Sequence, residues 1–465
     1  MREIDHFRAN VLSLARAFTI AFAVMAIGLA YWHVVRAPQL RADAHNPRTR
    51  ERIKLTEPGR LLASDGSVIL EGVNPNGEWY LEYAEPEVYC HLTGYNDRTG
   101  LQASLRDPLY GMGEHEDPWT RLLRGRPRGC DVYLTINAEA QRLAAGLMEG
   151  QRGAVVALEP STGNVLVMVS APAYNPAFVL DSAADYAAFT QSDEKYELNR
   201  ALQGQYVPGS VLKILTAAAA LDKQVVSADD QFSCTGTHEV NGATVRCRRP
   251  SGHGTIDLEE AMVDSCNVVF AQIGQALGPE EFRKYVNAFH LLDRPDVPLP
   301  ASGGRMATME GPEAQVEVAE AAFGQGATLV SPAAIARLAA TIANGGSVPR
   351  LTLVDHIVGP NGKEKFRSQP ESLGKAVSPA TAREVAGMMV EVVERGTGRS
   401  AHIRGVEVAG KTGSAQNPSG APHAWFAGFA PADAPKVAIA VIIEHGGAGS
   451  SIAAPIARQV MERLL

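Results

Sequence analysis

The stretch "YVPGSVLKILTAAAA", residues 206–220, sets a hydroxyl and an ammonium three positions apart at the head of an apolar run. Pro208 and Gly209 mark a turn, and the run after them has the composition of a buried helix. The spacing therefore predicts a helix over 208–222 with Ser210 in its first turn and Lys213 on the same face. A lysine beside "ILTAAAA" is partly desolvated, which disfavours its charged form and suits it to take a proton from a serine hydroxyl. The free backbone N–H groups of a helix start can stabilise an oxyanion. The competing reading is a capping serine with a lysine that snorkels to the surface, and spacing alone does not separate the two. Ser192–Lys195 in "QSDEK" and Ser372–Lys375 in "ESLGK" satisfy it as well, one in a charged and weakly patterned stretch, the other interrupted by Gly374.

Two further segments change the balance. "AMVDSCNVVFAQIG" (261–274) places Ser265 and Asn267 near the start of a helix. "GVEVAGKTGSAQ" (405–416) places Lys411, Thr412, Gly413 and Ser414 at the end of a strand, where Gly413 lets a substrate approach the backbone. Each alone reads as a cap or a turn. Together and in this order they match the Ser-x-x-Lys, Ser-x-Asn and Lys-Thr-Gly set of serine acyl transferases.

At this point the chain resembles the penicillin-binding proteins, specifically the class B peptidoglycan transpeptidases. "EPSTGNVLVMVSAPAYNP" (159–176), "LNRALQGQYVPGSVLK" (198–213), "HGTIDLEEAMVDSCN" (253–267), "GQGATLVSPAAIARLAATIANGG" (324–346) and "HAWFAGFAP" (423–431) carry the likeness beyond the triplets, over essentially all of 130–465. Ser414 departs from the family pattern, in which threonine is usual, but keeps the hydroxyl. The N-terminal region is too short for the glycosyltransferase domain of bifunctional relatives.

The resemblance implies an α/β (α+β) domain with an antiparallel sheet and flanking helices, and it implies roles. Ser210 is the nucleophile towards the carbonyl between two terminal D-alanines, and Lys213 the base of acylation. Ser265 relays a proton, Asn267 positions Lys213 and the substrate amide, and Lys411 supplies positive potential. Thr412 and Ser414 bind the substrate carboxylate, and the backbone N–H groups of Ser210 and Ser414 form the oxyanion hole. The partners implied are stem peptides ending in D-Ala-D-Ala, β-lactams that acylate Ser210, and a membrane glycosyltransferase; no step calls for a metal, nucleotide or redox cofactor. A D,D-carboxypeptidase, a β-lactamase or a non-enzymatic scaffold of cell-wall assembly are the alternatives.

The rest of the chain fits this frame. With 465 residues, a formal charge of −8 and 6% aromatics, it is long enough for a large catalytic domain and shows neither a nucleic-acid groove nor a disordered acidic tail. Nineteen uncharged residues separate Arg16 from Arg36, enough for one transmembrane helix over 17–35 with Tyr31 and Trp32 at its end; a cleaved signal peptide and a buried helix are the competing readings. Arg36, Arg41, Arg48, Arg50, Arg52 and Lys54 follow it, so the positive-inside rule by itself would keep the body in the cytoplasm. The substrate implied by the resemblance puts it outside, with residues 1–16 cytoplasmic.

Residues 36–129 read as a small β-rich pedestal, with a hairpin at Asp65-Gly66, and 130–465 as the catalytic domain. There "DVYLTI" is a strand, followed by a helix capped near Asn137. Two apolar strands joined by Ser161-Thr162-Gly163 and the late strand "KVAIAVIIEH" feed one sheet, covered by helices over 208–222, 257–275, 331–344 and 380–394 and by the C-terminal "SIAAPIARQVMERLL". The five cysteines form no paired CxxC units, which argues against a structural zinc site. Cys234 and Cys247 are expected near one another in a surface excursion, bridged or free. His253, His445 and Trp425 read as loop or packing residues.

Overall fold

The computed structural model describes residues 2–36, 53–95, 99–112, 128–179, 181–417 and 420–465. They fall into two compact units, one holding the N-terminal helix, the other comprising Pro58–Gly72, Leu81–His115 and Arg128–Leu465. In the first, α1 (Arg2–Ala30) runs into a π-helical turn at Tyr31–Val35. Ile4–Val35 is long and apolar enough to cross a membrane. At 1.5 Å per residue the uncharged stretch spans about 28 Å, close to the hydrocarbon thickness of a bilayer. Phe18, Phe22, Val24, Ile27 and Leu29 all stand exposed along it, as a membrane anchor requires.

The second unit is organised by the strands β1 (Gly153–Leu158), β2 (Val165–Ala171), β3 (Thr237–Val240), β4 (Ala243–Arg246), β5 (Ala409–Ala415), β6 (His423–Ala430) and β7 (Val437–Ile443). Five of them make the central sheet in the order β5-β6-β7-β1-β2, every pair antiparallel. This is the sheet expected from the apolar runs. β1 and β7 read as unbroken apolar stretches, without alternation, because helices cover both faces and every residue of the two strands is buried.

The covering helices are α2 (Lys213–Asp222), α3 (Leu258–Val263), α4 (Asn267–Ala288), α5 (Ala314–Ala322), α6 (Pro332–Ala343), α7 (Pro379–Glu394) and α8 (Ala453–Leu464). On one face, Ile456, Ala457, Val460 and Met461 of α8 pack with Ala140 and Ala144 against Val155, Val169, Phe426 and Val441. On the other, α6 lies across β1, β6 and β7, and α7 lies against β5. Helix α2 sits among α4, α6 and α7, buried from Lys213 to Leu221. Its run of alanines lets those neighbours approach on every side. Ser331 and Ser378 cap α6 and α7 by accepting from the Ala334 and Thr381 N–H groups. Asn137 caps Ala138–Leu147 in the same way.

The single helix expected over 257–275 is two. α3 ends at Val263, Ser265 takes a left-handed φ of +58°, and α4 begins at Asn267 and, broken by a kink at Gly278 (φ +78°), reaches Ala288. No glycine or proline announces the break at Ser265.

A second sheet has six strands, in the order Glu364–Arg367, Val354–Val358, Asp131–Leu134, Leu61–Leu62, Val68–Val73, Tyr80–Tyr83. The Asp65-Gly66 turn closes its hairpin as expected, with Gly66 at φ +83° and Asp65 Oδ1 accepting from the Ser67 amide at 2.9 Å. Strands from before residue 130, from just after it and from beyond residue 350 thus share one sheet.

Candidate active site

The Ser210 turn is held from three sides. Gly209, at φ +58°, donates its N–H to Gly324 O at 2.8 Å, and Tyr206 N–H donates to Val330 O at 3.0 Å. Trp425, fully buried in β6, donates its indole N–H to Val207 O at 3.0 Å. β5 runs directly alongside: a Cβ on Gly209 would meet Ala415 at 3.1 Å, and one on Gly413 would meet Pro208 O at 3.3 Å. The serine itself lies in a 3₁₀ turn, Gly209–Leu212, and the α-helix proper begins at Lys213.

Lys213 is wholly buried and points at the turn between α3 and α4. Its Nζ donates to Ser265 O at 2.7 Å, Asn267 Oδ1 at 2.8 Å and Ser265 Oγ at 3.2 Å. Phe270 lies beneath it, its ring centroid 5.3 Å from Nζ. Burial pushes Lys213 down to about 7. Lys411, also fully buried, reaches the same hydroxyl from β5: its Nζ donates to Ser265 Oγ at 2.9 Å and to Thr412 O at 3.2 Å. Burial first, then the charges of Lys213 and Arg248, hold it well below its ordinary value. Two amines share one hydroxyl in a dehydrated pocket, where a proton on one disfavours a proton on the other.

Behind Ser265 and Asn267 the two amines back a cleft of about 730 Å³ that is lined by Ser210, Ser265, Asn267, Thr412, Ser414 and the β3–β4 hairpin. Ser414 stands exposed in it, while Thr412 Oγ1 donates to Thr397 Oγ1 at 2.8 Å. Thr397, in "RGTGRS" after α7, is a cleft residue that carries no motif of its own. The fold thus brings together Ser210, Lys213, Ser265, Asn267, Lys411, Thr412, Gly413 and Ser414. It leaves the other two Ser-x-x-Lys matches apart: Ser192 ends a short helix, and Ser372–Lys375 is a strand, on which residues three apart face opposite ways.

The cysteines correct the sequence reading. Cys234 and Cys247 are close, as expected, but both are buried and free, and they are not alone. Cys266 and His253 join them, the four donor atoms lying within 4.8 Å of one another. The spacing of the cysteines argues against a zinc site and His253 reads as a loop or packing residue, yet the fold assembles a ligand cluster from residues spread over 234–266. Three sulfurs and an imidazole nitrogen make a donor set that suits zinc. His445 faces His423 at the rim of β6, a packing role. Its neighbour Glu444 accepts from buried Arg200 at 2.7 Å and from Tyr206 Oη at 2.7 Å, bracing the chain just ahead of Ser210.

Residues 153–462 match the penicillin binding protein transpeptidase domain family. The chain is 34% identical to the peptidoglycan D,D-transpeptidase PbpA of Mycolicibacterium smegmatis, over 97% of this chain and 98% of that one. It is 29% identical to the peptidoglycan D,D-transpeptidase MrdA of Acinetobacter baumannii, over 90% and 71% of the two chains. Among solved structures, penicillin-binding protein A of M. tuberculosis as a ceftriaxone acyl-enzyme complex superposes with a TM-score of 0.82 at 31% identity, covering 89% of this chain and 99% of that one. The penicillin G acyl-enzyme complex of the same protein gives 0.80 at 32%, covering 88% and 99%.

Proposed function

The chain belongs to the penicillin-binding protein transpeptidase family, among the class B members, and from that premise we propose that it is a serine peptidoglycan D,D-transpeptidase with Ser210 as its nucleophile. The observation that carries the assignment of roles is the position of Ser265 Oγ, within 3.2 Å of Lys213 Nζ and 2.9 Å of Lys411 Nζ on the wall of the cleft into which Ser210 faces.

Ser210 Oγ attacks the carbonyl carbon between the two terminal D-alanines, and its proton passes to neutral Lys213. The oxyanion forms against the Ser210 and Ser414 N–H groups. As the carbon–nitrogen bond breaks, the proton travels from Lys213 through Ser265 to the departing amine, and D-alanine leaves. The amine of a second stem peptide then attacks the ester, returns a proton by the same relay and frees Ser210. Asn267 keeps Lys213 aligned. A substrate carboxylate at Thr412 and Ser414 stabilises the charged form of Lys411, so substrate binding restores an ammonium that burial disfavours. With α1 as a single-pass anchor, the catalytic unit faces the peptidoglycan outside the membrane, and a membrane glycosyltransferase supplies the glycan strands.

The test is intact-protein mass spectrometry after penicillin G treatment, with the modified peptide sequenced. The adduct is expected on Ser210 and absent in Ser210→Ala. A donor stem peptide with an amine acceptor should then give cross-linked product. Hydrolysis without amine transfer would favour a carboxypeptidase or β-lactamase, and no adduct on folded protein would leave a scaffold.

A further inference from the structure

Cys234 closes the strand Phe232–Cys234, Cys247 follows β4, His253 lies before α3, and Cys266 separates Ser265 from Asn267. The Cys247 and Cys266 sulfurs are 3.9 Å apart, and His253 Nδ1 lies 3.3 Å from Cys247 Sγ and 3.6 Å from Cys234 Sγ. A tetrahedral zinc with metal–sulfur bonds of about 2.3 Å and a metal–nitrogen bond of about 2.05 Å separates its sulfurs by about 3.8 Å and sulfur from nitrogen by about 3.6 Å. The cluster therefore has the spacing of ligands around one ion, and not that of a disulfide, whose sulfurs lie about 2.05 Å apart. All three cysteines are buried. The other imidazole nitrogen, Nε2, faces Asp264 Oδ2 at 3.7 Å, the carboxylate backing that orients a metal-bound histidine.

What the cluster ties down gives it a use. Cys266 lies between the two residues that hold Lys213, next to Ser265 with its unfavourable φ of +58°. Asn267 Nδ2 also donates to Arg246 O at 3.3 Å, so the β3–β4 hairpin over the cleft is fastened to the same point. We propose that Cys234, Cys247, His253 and Cys266 bind one zinc ion that clasps the Ser265–Asn267 turn and the cleft hairpin in place, and that a two-electron oxidant opens the clasp. With hydrogen peroxide, the Cys247 and Cys266 thiolates each give up one electron and form a sulfur–sulfur bond. The peroxide takes both electrons and two protons to become two waters, and the zinc leaves with only Cys234 and His253 to hold it. Closing the sulfurs from 3.9 Å to about 2.05 Å draws Cys266 away from the position that sets Ser265 and Asn267.

The metal half of the test stands apart from the acyl-transfer reading; the activity half rests on it. Full-length protein extracted from membranes without chelator should carry one equivalent of zinc by elemental analysis. Replacement by cobalt should give the sulfur-to-metal charge-transfer bands of a thiolate-rich tetrahedral site. Peroxide should release the zinc, leave the protein two hydrogens lighter with Cys247 and Cys266 in one cross-linked peptide, and slow penicillin acylation roughly a hundredfold, the cost of misplacing a catalytic group by about 1 Å. Reductant with zinc should reverse all three changes. Cys234→Ser, which does not touch the Ser265–Asn267 turn, should lose the ion, Cys234→His should keep it, and a Cys90→Ser, Cys130→Ser variant should behave as wild type. Folded protein without zinc whose four cluster side chains are freely modified overturns the proposal, as does zinc release that leaves acylation unchanged. One equivalent of zinc on a protein that penicillin never acylates supports the metal site and overturns the acyl-transfer reading instead.

Discussion

Gly209 and Gly324 are in backbone contact: the Gly209 N–H donates to Gly324 O at 2.8 Å, and a Cβ added to Gly324 would fall 1.8 Å from Gly209 O. Gly324 also sits at φ +83°, where an L side chain is strained even in open space. The nucleophile turn is therefore positioned by a residue 114 places from Ser210 that carries no functional group.

Gly324→Ala is expected to slow acylation by penicillin by roughly a hundredfold or more, since the turn bearing Ser210 must shift to admit the methyl group. It should also cost about 1–3 kcal/mol of stability. Gly387→Ala, inside α7 with nothing within 4 Å of the new Cβ, serves as the control and should stabilise by about 0.5–1 kcal/mol. Stopped-flow acylation and thermal unfolding of the two variants check the pair.

The pH profile of acylation should report Lys213. Burial holds this amine down to about 7; Lys411 and Asn267 face it or its partner Ser265, while charge on Cys266 and Cys247 would act in the opposite direction. Only the neutral amine accepts the Ser210 proton, so the acylation rate should rise about tenfold per pH unit below about 7 and level off above it. Lys213→Arg stays charged and should fall roughly two to four orders of magnitude below the wild-type plateau above pH 7, a deficit that narrows as acid protonates the wild-type lysine. A rate independent of pH from 5 to 9 would remove Lys213 as the base.

His91 should make the folded state acid-sensitive. Its buried ring donates from Nε2 to Tyr196 O at 2.8 Å and accepts at Nδ1 from the Cys90 thiol at 3.2 Å, a network that uses the neutral form. Burial lowers it to about 4, whereas an unfolded histidine titrates near 6.5. Between those values the unfolded chain binds the extra proton, so this stabilising contribution is complete above about pH 6.5 and is lost as pH falls towards 4. Roughly 3 kcal/mol is the largest loss the shift allows. Denaturant unfolding of wild type and His91→Gln at pH 7.5 and 4.5 should show the wild type losing more over that interval.

Removing Glu444 should be costly. Arg200 is 1% exposed and takes its carboxylate partner from Glu444, so Glu444→Ala strands a buried guanidinium and should destabilise by about 3–5 kcal/mol. Arg152→Ala removes an exposed partner of the same carboxylate and should cost less than about 1 kcal/mol. Equal losses in chemical denaturation would place the energy of this network elsewhere.

Two of the site's motifs were readable because they sit where a local element starts, Ser210 at a turn into an apolar helix and Asn267 at the first residue of one, whereas Lys411–Ser414, expected at the end of a strand, lie inside β5. Strands β1, β2 and β7 of the central sheet were readable because they are apolar on both faces. The metal-ligand cluster was not, since Cys234, Cys247, His253 and Cys266 come from separate segments with no short repeat, and only the packing of the hairpin against the turn before α4 makes them neighbours. Thr397 and Gly324 were missed for a related reason: their roles are contacts with residues far off in sequence. The expected helix over 257–275 failed at a turn that Ser265 makes without glycine, a local strain that tertiary contacts hold and propensity does not foresee.

The six-stranded sheet bears on how the protein can be taken apart. Asp131–Leu134 hydrogen-bonds in parallel to Leu61–Leu62 on one side and antiparallel to Val354–Val358 on the other. A shortened gene product that starts at residue 130 would expose the backbone of that strand along one edge, an invitation to aggregate. A detergent-free version of the enzyme should therefore begin ahead of Pro58, sacrificing the anchor and retaining the strand that seals the edge.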